Sequence, residues 1–141
     1  MQTFLPFPSF TASALCLDRL RLGKQRVEAR QILTALREGG GWANHPATKM
    51  WSGRVEALML YGDVMIREWV RRGYNNSMHT LVFPDADAEP IPYIAKIEMP
   101  DWLGDERVHA SHRGNLLRKD ADHYGKFGWT EEPQEGYYWP M

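Results

Sequence analysis

The stretch "DRLRLGKQRVEARQIL", residues 18–33, combines helical periodicity with an unusual density of charge. On a helical wheel turned by 100° per residue its apolar residues share one stripe, which predicts an amphipathic helix. Asp18 and Gln25 fall on that stripe as well. The stretch lies inside a longer helical segment, which we expect to run from about Ala12 to Arg37 and to end at "EGGG".

Two further segments also have helical patterns. The second begins at "NHPATKMW", with Asn44 as its predicted cap, and ends at Gly73. The third is predicted from about Asp105 to Phe127. The residues between them, 75–105, hold four prolines and are predicted to be mostly loop.

The opening "MQTFLPFPSF" holds two prolines and three phenylalanines, which predicts an extended apolar arm packed onto the body. Ser9 or Thr11 is then expected to cap the first helix. The expected fold is all-α: one compact domain over residues 1–141, with three long helices, a proline-rich loop excursion and an extended N-terminal arm. The role of the acidic proline-rich segment 84–106 stays open.

Composition excludes several classes of protein. Hydrophobic residues make up 43% of the chain and charged residues 25%, as in globular proteins. No apolar run approaches the roughly 20 residues of a membrane helix, and the N-terminal residues lack the basic-then-apolar pattern of a signal peptide. The single cysteine, Cys16, cannot form an internal disulfide. We therefore expect a cytoplasmic monomer without a membrane contact.

Charge is distributed in blocks although the net charge is only −1. Residues 15–37 carry six Lys and Arg against two acids, and residues 107–126 carry five against two. Residues 85–106 carry seven acids against one lysine. Two basic segments of this kind are typical of a surface that binds a polyanion.

The first helix places its charges on two flanks of the apolar stripe. Arg19, Arg26, Arg30 and Arg37 share one flank, where guanidinium groups at helical spacing can bind successive phosphates. Glu28 lies on the other flank, close in angle to Arg21 and Lys24. The alternative for the four arginines is a solvated basic face. The alternative for Glu28 is a surface ion pair.

The third helix is rich in histidine and basic residues. His109, His112 and His123 share a face, but their spacing matches no zinc signature and no convincing carboxylate ligand completes it, so no metal is predicted. Phosphate or base contacts are predicted instead, with capping and surface roles as the alternative. The predicted contacts are His112, Arg113, Asn115, Arg118 and Lys119.

Several longer phrases resemble the pyrimidine-dimer DNA glycosylase family, the phage endonuclease V type, and most strongly its small bacterial and phage branch. These phrases are "LDRLRLGKQRVEARQIL", "NHPATKMWSGRVEALMLYG", "EWVRRGY", "WLGDERVHASHRGNLLRKDADHYGKFGW" and "YYWP". The resemblance implies an all-α enzyme that acts on double-stranded DNA with a damaged or modified base. It implies no metal or organic cofactor.

The resemblance also implies a mechanism. In that family the N-terminal α-amine attacks the sugar C1′, and a glutamate of the first long helix assists base release and the β-elimination that nicks the strand. An α-amine, with a reference pKa of about 7.7 to 8.0, is a usable nucleophile near neutral pH. The matching glutamate is Glu28. The phosphate-binding residues implied around it are Arg19, Arg21, Lys24, Arg26 and Arg30, facing the basic run of the third helix.

The N-terminus departs from the family pattern. The well-studied enzyme exposes a threonine amine, whereas the large Gln2 disfavours removal of Met1 here. The nucleophile is then the amine of Met1, or of Gln2 after trimming. Three alternatives stay open: a glycosylase without lyase activity that uses Glu28 to activate water, a non-catalytic DNA-binding module, and a glycosylase for phage-modified bases.

Overall fold

The computed structural model describes residues 1–89 and 92–140, and every regular element within them is helical. The prediction of an all-α fold is therefore confirmed. Three helices are long and three are short, and two 3-10 turns, Pro92–Lys96 and Gly125–Phe127, complete the set. The helices are α1 (Phe10–Cys16), α2 (Arg19–Glu38), α3 (Pro46–Lys49), α4 (Val55–Arg71), α5 (Glu106–Lys119) and α6 (Ala121–Tyr124).

The first predicted helix is two helices, because the chain is extended at Leu17 and Asp18. Ser9 caps α1, its hydroxyl accepting the Ala12 N–H at 3.1 Å, as predicted. At the break, the Tyr124 hydroxyl accepts the Asp18 N–H at 3.1 Å and donates to the Asp18 carboxylate. Tyr124, 106 residues away in the chain, thus stabilises a helix break at which the sequence has neither glycine nor proline.

The other two predicted helices are also interrupted. Gly53, with φ +75°, lies between α3 and α4 in a left-handed conformation that favours glycine. The cap of α3 is His45 rather than Asn44, since the His45 ring accepts the Ala47 N–H at 3.0 Å. The third long helix stops at Lys119, where Asp120 turns the chain and caps α6 through the His123 N–H.

Helices α2 and α4 pack closely at two glycines. A Cβ at Gly62 would lie 3.4 Å from that of Ala29, and a Cβ at Gly23 would lie 3.0 Å from the Trp69 ring. Trp51 and Tyr61 are fully buried beside this contact. Each large apolar side chain buried here stabilises the fold by about 1.5–3 kcal/mol.

A buried carboxylate anchors the loop that follows α4. Asp63 accepts backbone N–H groups from Leu81, Val82 and Phe83 at 2.8, 2.6 and 2.9 Å. The predicted loop contains one short 3-10 turn, and Pro90 lies outside the described residues. None of the described helices is long and apolar enough to cross a membrane.

The C-terminal tail, residues 128–140, crosses α5 at Gly114. The Gln134 N–H donates to the Gly114 carbonyl at 3.1 Å, and the Tyr138 N–H donates to the Ser111 hydroxyl at 3.1 Å. A Cβ at Gly114 would lie 2.9 Å from a backbone oxygen of the tail. The tail therefore depends on a glycine to reach the surface of α5 so closely.

Candidate active-site cleft

The N-terminal arm packs against the body of the protein, as its apolar sequence predicts. Residues Gln2 to Leu5 are buried. The Phe4 N–H donates to Gln25 Oε1 at 2.9 Å, and the Trp51 indole N–H donates to the Thr3 hydroxyl at 3.1 Å. Side chains of the body thus hold the arm in place. At the start of this buried segment, Met1 lies at the wall of a surface cleft.

Two histidines of α5 bind the arm backbone. The Leu5 N–H donates to His112 Nδ1 at 2.9 Å, so His112 carries its proton on Nε2. His109 Nδ1 donates to the Leu5 carbonyl at 2.8 Å, while its Nε2 accepts the Gly104 N–H at 2.9 Å. His112 therefore binds the arm as a neutral ring. His123 lies elsewhere and donates to the Cys16 carbonyl at 2.8 Å.

The cleft beside Met1 encloses about 320 Å³ and is built from four parts of the chain. The arm contributes Met1, Gln2 and Phe4, and the tail contributes Gly136 and Tyr137. Helices α2 and α5 supply most of the polar groups. These are Arg21, Lys24, Gln25 and Glu28 from α2, and Asn115, Arg118 and Lys119 from α5.

Four of these residues form a cationic cluster, defined as Arg21, Lys24, Arg118 and Lys119. Burial lowers the pKa of Lys119, and the positive charges of Arg118, Arg21 and Lys24 lower it further, while the charge of Glu28 opposes them. All four line the same cleft, Arg21 while paired with Asp18 at 3.1 Å. Such a cluster favours an anionic ligand.

Glu28 is the one carboxylate among the described residues that line this cleft. It is half-buried, and its Oε2 accepts a hydrogen bond from Gln25 Nε2 at 2.9 Å. Tyr137 closes the opposite side, where its ring meets Phe4 at 6.2 Å and His112 at 5.5 Å between centroids. Burial raises the pKa of the Tyr137 hydroxyl, on which the charges of Arg118, Glu28 and Arg21 also act.

The other flank of α2 contacts Trp69, Tyr74 and the loop after α4. Arg26 stacks on the Trp69 ring at 4.1 Å and donates to Asn76 Oδ1 at 2.9 Å. Arg30 donates to the His79 carbonyl at 2.8 Å, and Arg19 lies over the Tyr74 ring at 5.1 Å. None of these three arginines lines the cleft beside Met1, although Arg19 lines a neighbouring pocket together with Lys24 and Glu28.

Three of the predicted DNA contacts on α5, His112, Arg113 and Asn115, have structural partners, and a fourth, Arg118, lines the cleft while it donates to the Gln134 carbonyl at 3.2 Å. His112 is fully buried under the arm, so its predicted contact with DNA does not hold in this fold. Arg113 is only 12% exposed, pairs with Glu106 and Glu131, and donates to the Pro6 carbonyl at 2.8 Å. Asn115 lines the cleft, but its amide N–H groups are used by the Ser111 and Gly136 carbonyls.

Sequence reasoning did not identify Gln25 and Tyr61 as parts of the site. Tyr61 donates to Gln25 Oε1 at 2.6 Å and lies 2.9 Å from the Phe4 carbonyl. The available signal was the position of Gln25, a polar residue on the apolar stripe of α2. Tyr61 had no such signal, because a tyrosine in the core is ordinary.

Fold and cleft together define a class: an all-α protein with a cationic cleft around a single carboxylate. A family model described as pyrimidine dimer DNA glycosylase matches residues 1–81, more than half of the chain. The chain therefore belongs to the pyrimidine dimer DNA glycosylase family, whose substrate is DNA. No curated protein and no solved structure matches it. The match covers the arm, Glu28 and helices α1 to α4, and ends before α5.

Proposed function

We propose that the protein releases a damaged base from double-stranded DNA, using the α-amine of Met1 as nucleophile and Glu28 as the catalytic carboxylate. The observation that carries this proposal is that both residues line one cleft with the cationic cluster. A nucleophile, a carboxylate and phosphate-binding cations are the groups that the reaction needs in one place.

The proposed reaction begins with the neutral amine attacking C1′ of a nucleotide that has left the base stack. The new N–C bond forms as the glycosidic bond breaks, and the base departs with the electron pair. Opening of the sugar ring at O4′ leaves a protonated imine between C1′ and the Met1 nitrogen. The Glu28 carboxylate then takes a proton from C2′, and the 3′ phosphate leaves by β-elimination.

Phosphate binding is assigned to the cationic cluster. Its members come from α2 and α5, so a strand lying in the cleft meets positive charge on both sides. Arg26 and Arg30 are left out of the proposed site because they donate to groups of the loop after α4, and Arg19 is left out because it does not line the cleft beside Met1. Arg113 and His112 are left out because they hold the arm.

Borohydride trapping tests this proposal. The protein is mixed with DNA containing a pyrimidine dimer. One portion is reduced and tested for a covalent adduct, and in the other the dimer is photoreversed with ultraviolet light before released base is measured, because the cut base otherwise stays bonded to its neighbour. A cleavable fusion that hides the Met1 amine, and is removed without extra residues, provides the matched control. We expect an adduct only after cleavage of the fusion. Mass spectrometry of the trapped peptide identifies Met1 or Gln2 as the attached residue.

The same experiment separates the alternatives. Base release without an adduct would mean that Glu28 activates water and that the lyase step is absent. DNA binding without base release, across pyrimidine dimers and a panel of modified bases, would identify a non-catalytic module. An adduct that forms equally well with the fusion in place would exclude the N-terminal amine.

A further inference from the structure

Gln25 is a buried amide in the middle of α2, where the helix otherwise turns apolar residues toward the core. Burying an amide is unfavourable unless its donors and acceptor find partners. Gln25 has three such partners, and they belong to three different parts of the site: the arm, α4 and Glu28.

These partners determine which way the amide points. The Phe4 N–H can only donate, so the atom that it meets at 2.9 Å must be the oxygen Oε1. The Tyr61 hydroxyl lies 2.6 Å from the same oxygen and 2.9 Å from the Phe4 carbonyl, two acceptors that share its one proton. The nitrogen Nε2 then faces Glu28 and donates to Oε2 at 2.9 Å. The arm thereby fixes the direction of the hydrogen bond that Glu28 receives.

We propose that Gln25 is a positioning residue that sets the Glu28 carboxylate relative to the N-terminal arm, a role that rests on the proposed function. Phe4 is three residues from Met1, and the amide that binds Phe4 also binds Glu28. The side chain of Gln25 therefore links the position of the nucleophile to the position of the Glu28 carboxylate. Because misplacing reacting groups by about 1 Å can cost about 100-fold in rate, such a link matters for turnover.

A purely structural role is the alternative, in which Gln25 only supports the arm. The two roles use opposite ends of the amide, so substitutions can separate them. Gln25→Glu keeps an oxygen for Phe4 and Tyr61 but replaces the donor to Glu28 with a second carboxylate oxygen. Gln25→Leu removes both ends.

Gln31→Glu is a matched control. Gln31 follows Glu28 by three residues, as Gln25 precedes it by three, but Gln31 is exposed. The same added charge at an exposed site is strongly screened by water. The other charged groups that line the cleft with Glu28 are Met1 and the cationic cluster, and they are unchanged in every variant.

Two measurements are made on each folded variant. Hydrogen exchange at the Phe4 amide, followed by NMR without any substrate, reports the arm contact. The pH profile of base release reports the chemistry. We expect Gln25→Glu to retain slow exchange at Phe4, to lower kcat by about 10- to 100-fold, and to move the acid limb of the profile to higher pH, because two adjacent carboxylates share a proton.

We expect Gln25→Leu to speed the exchange of Phe4 and to lower kcat, whereas Gln31→Glu keeps the wild-type exchange rate and pH profile. A Gln25→Glu protein with wild-type kcat and profile would overturn the positioning role while leaving the proposed function intact. A wild-type protein that releases no base would instead overturn the proposed function, and the inference with it. The exchange result still tells whether Gln25 holds the arm.

Discussion

Acid is expected to weaken the anchoring of the N-terminal arm, because His112 can hold Leu5 only as a neutral ring. Its Nδ1 accepts the Leu5 N–H at 2.9 Å, and a protonated ring has no lone pair for that bond. Burial, reinforced by His109 and by the positive charge of Arg113, lowers the pKa of His112 from its ordinary value of 6.5 to about 3. The unfolded chain has no such barrier to protonation.

The sign of the effect follows from this difference. Between pH 6.5 and about 3 the unfolded state binds a proton at His112 that the folded state does not. Stability is therefore fully present above pH 6.5 and is lost as the pH falls, by about 1.4 kcal/mol per pH unit. From pH 6.5 to pH 4.5 the loss is about 3 kcal/mol, a large part of the stability of a typical domain.

Urea unfolding followed by circular dichroism, at several pH values from 7.5 to 4.5, measures this loss. The test variant is His112→Asn, whose side-chain oxygen can accept the Leu5 N–H but cannot be protonated in this range. We expect its free energy of unfolding to fall less steeply with acid, by about 1.4 kcal/mol per pH unit. His79→Asn, at an exposed histidine, is the matched control. Equal slopes for wild type and His112→Asn would refute the reasoning.

Three further predictions concern the cleft and the tail. Glu28→Gln should keep the fold and the affinity for DNA but lower turnover by about 100-fold or more; loss of the folded state would show that Glu28 is structural. Lys119→Ala should lower the slope of log affinity against log salt by about 0.9, one phosphate contact, while Lys96→Ala should not; equal slopes would remove Lys119 from the site. Gly114→Ala should destabilise the protein by about 1–3 kcal/mol and make the tail sensitive to protease, because its Cβ would meet tail backbone at 2.9 Å. Gly125→Ala is the control, because a Cβ at Gly125 would have no atom within 4 Å, and it should change the free energy of unfolding little. Similar destabilisation in both variants would contradict the close contact between the tail and Gly114.

The roles of the two flanks of α2 explain why its charge pattern could be interpreted only in part. The wheel separates Glu28 from Arg26 correctly, because helical geometry is local and repeats every 3.6 residues. The helical wheel cannot show which part of the protein each flank of α2 contacts. The structure turns Glu28 toward α5 and the tail, and Arg26 toward Trp69 and Asn76.

The histidines of α5 show the same limit. Their residue type is compatible with a metal site, with phosphate binding and with structural hydrogen bonds, and the spacing along the helix excludes only the first. The deciding partner of His112 is Leu5, 107 residues earlier in the chain. No pattern within a helix carries that information.

The sequence by itself determined the helical class, the extended arm, the two basic segments and the position of Glu28 among cations, since each depends on residues within a few turns of one another. Only the tertiary structure decided where the helices break, which polar residues hold the arm and which cations reach the cleft. The break before α2 depends on Tyr124, 106 residues away, and the cleft needs the arm, α2, α5 and the tail at once. Such contacts form because buried polar groups must find partners wherever the packing brings them.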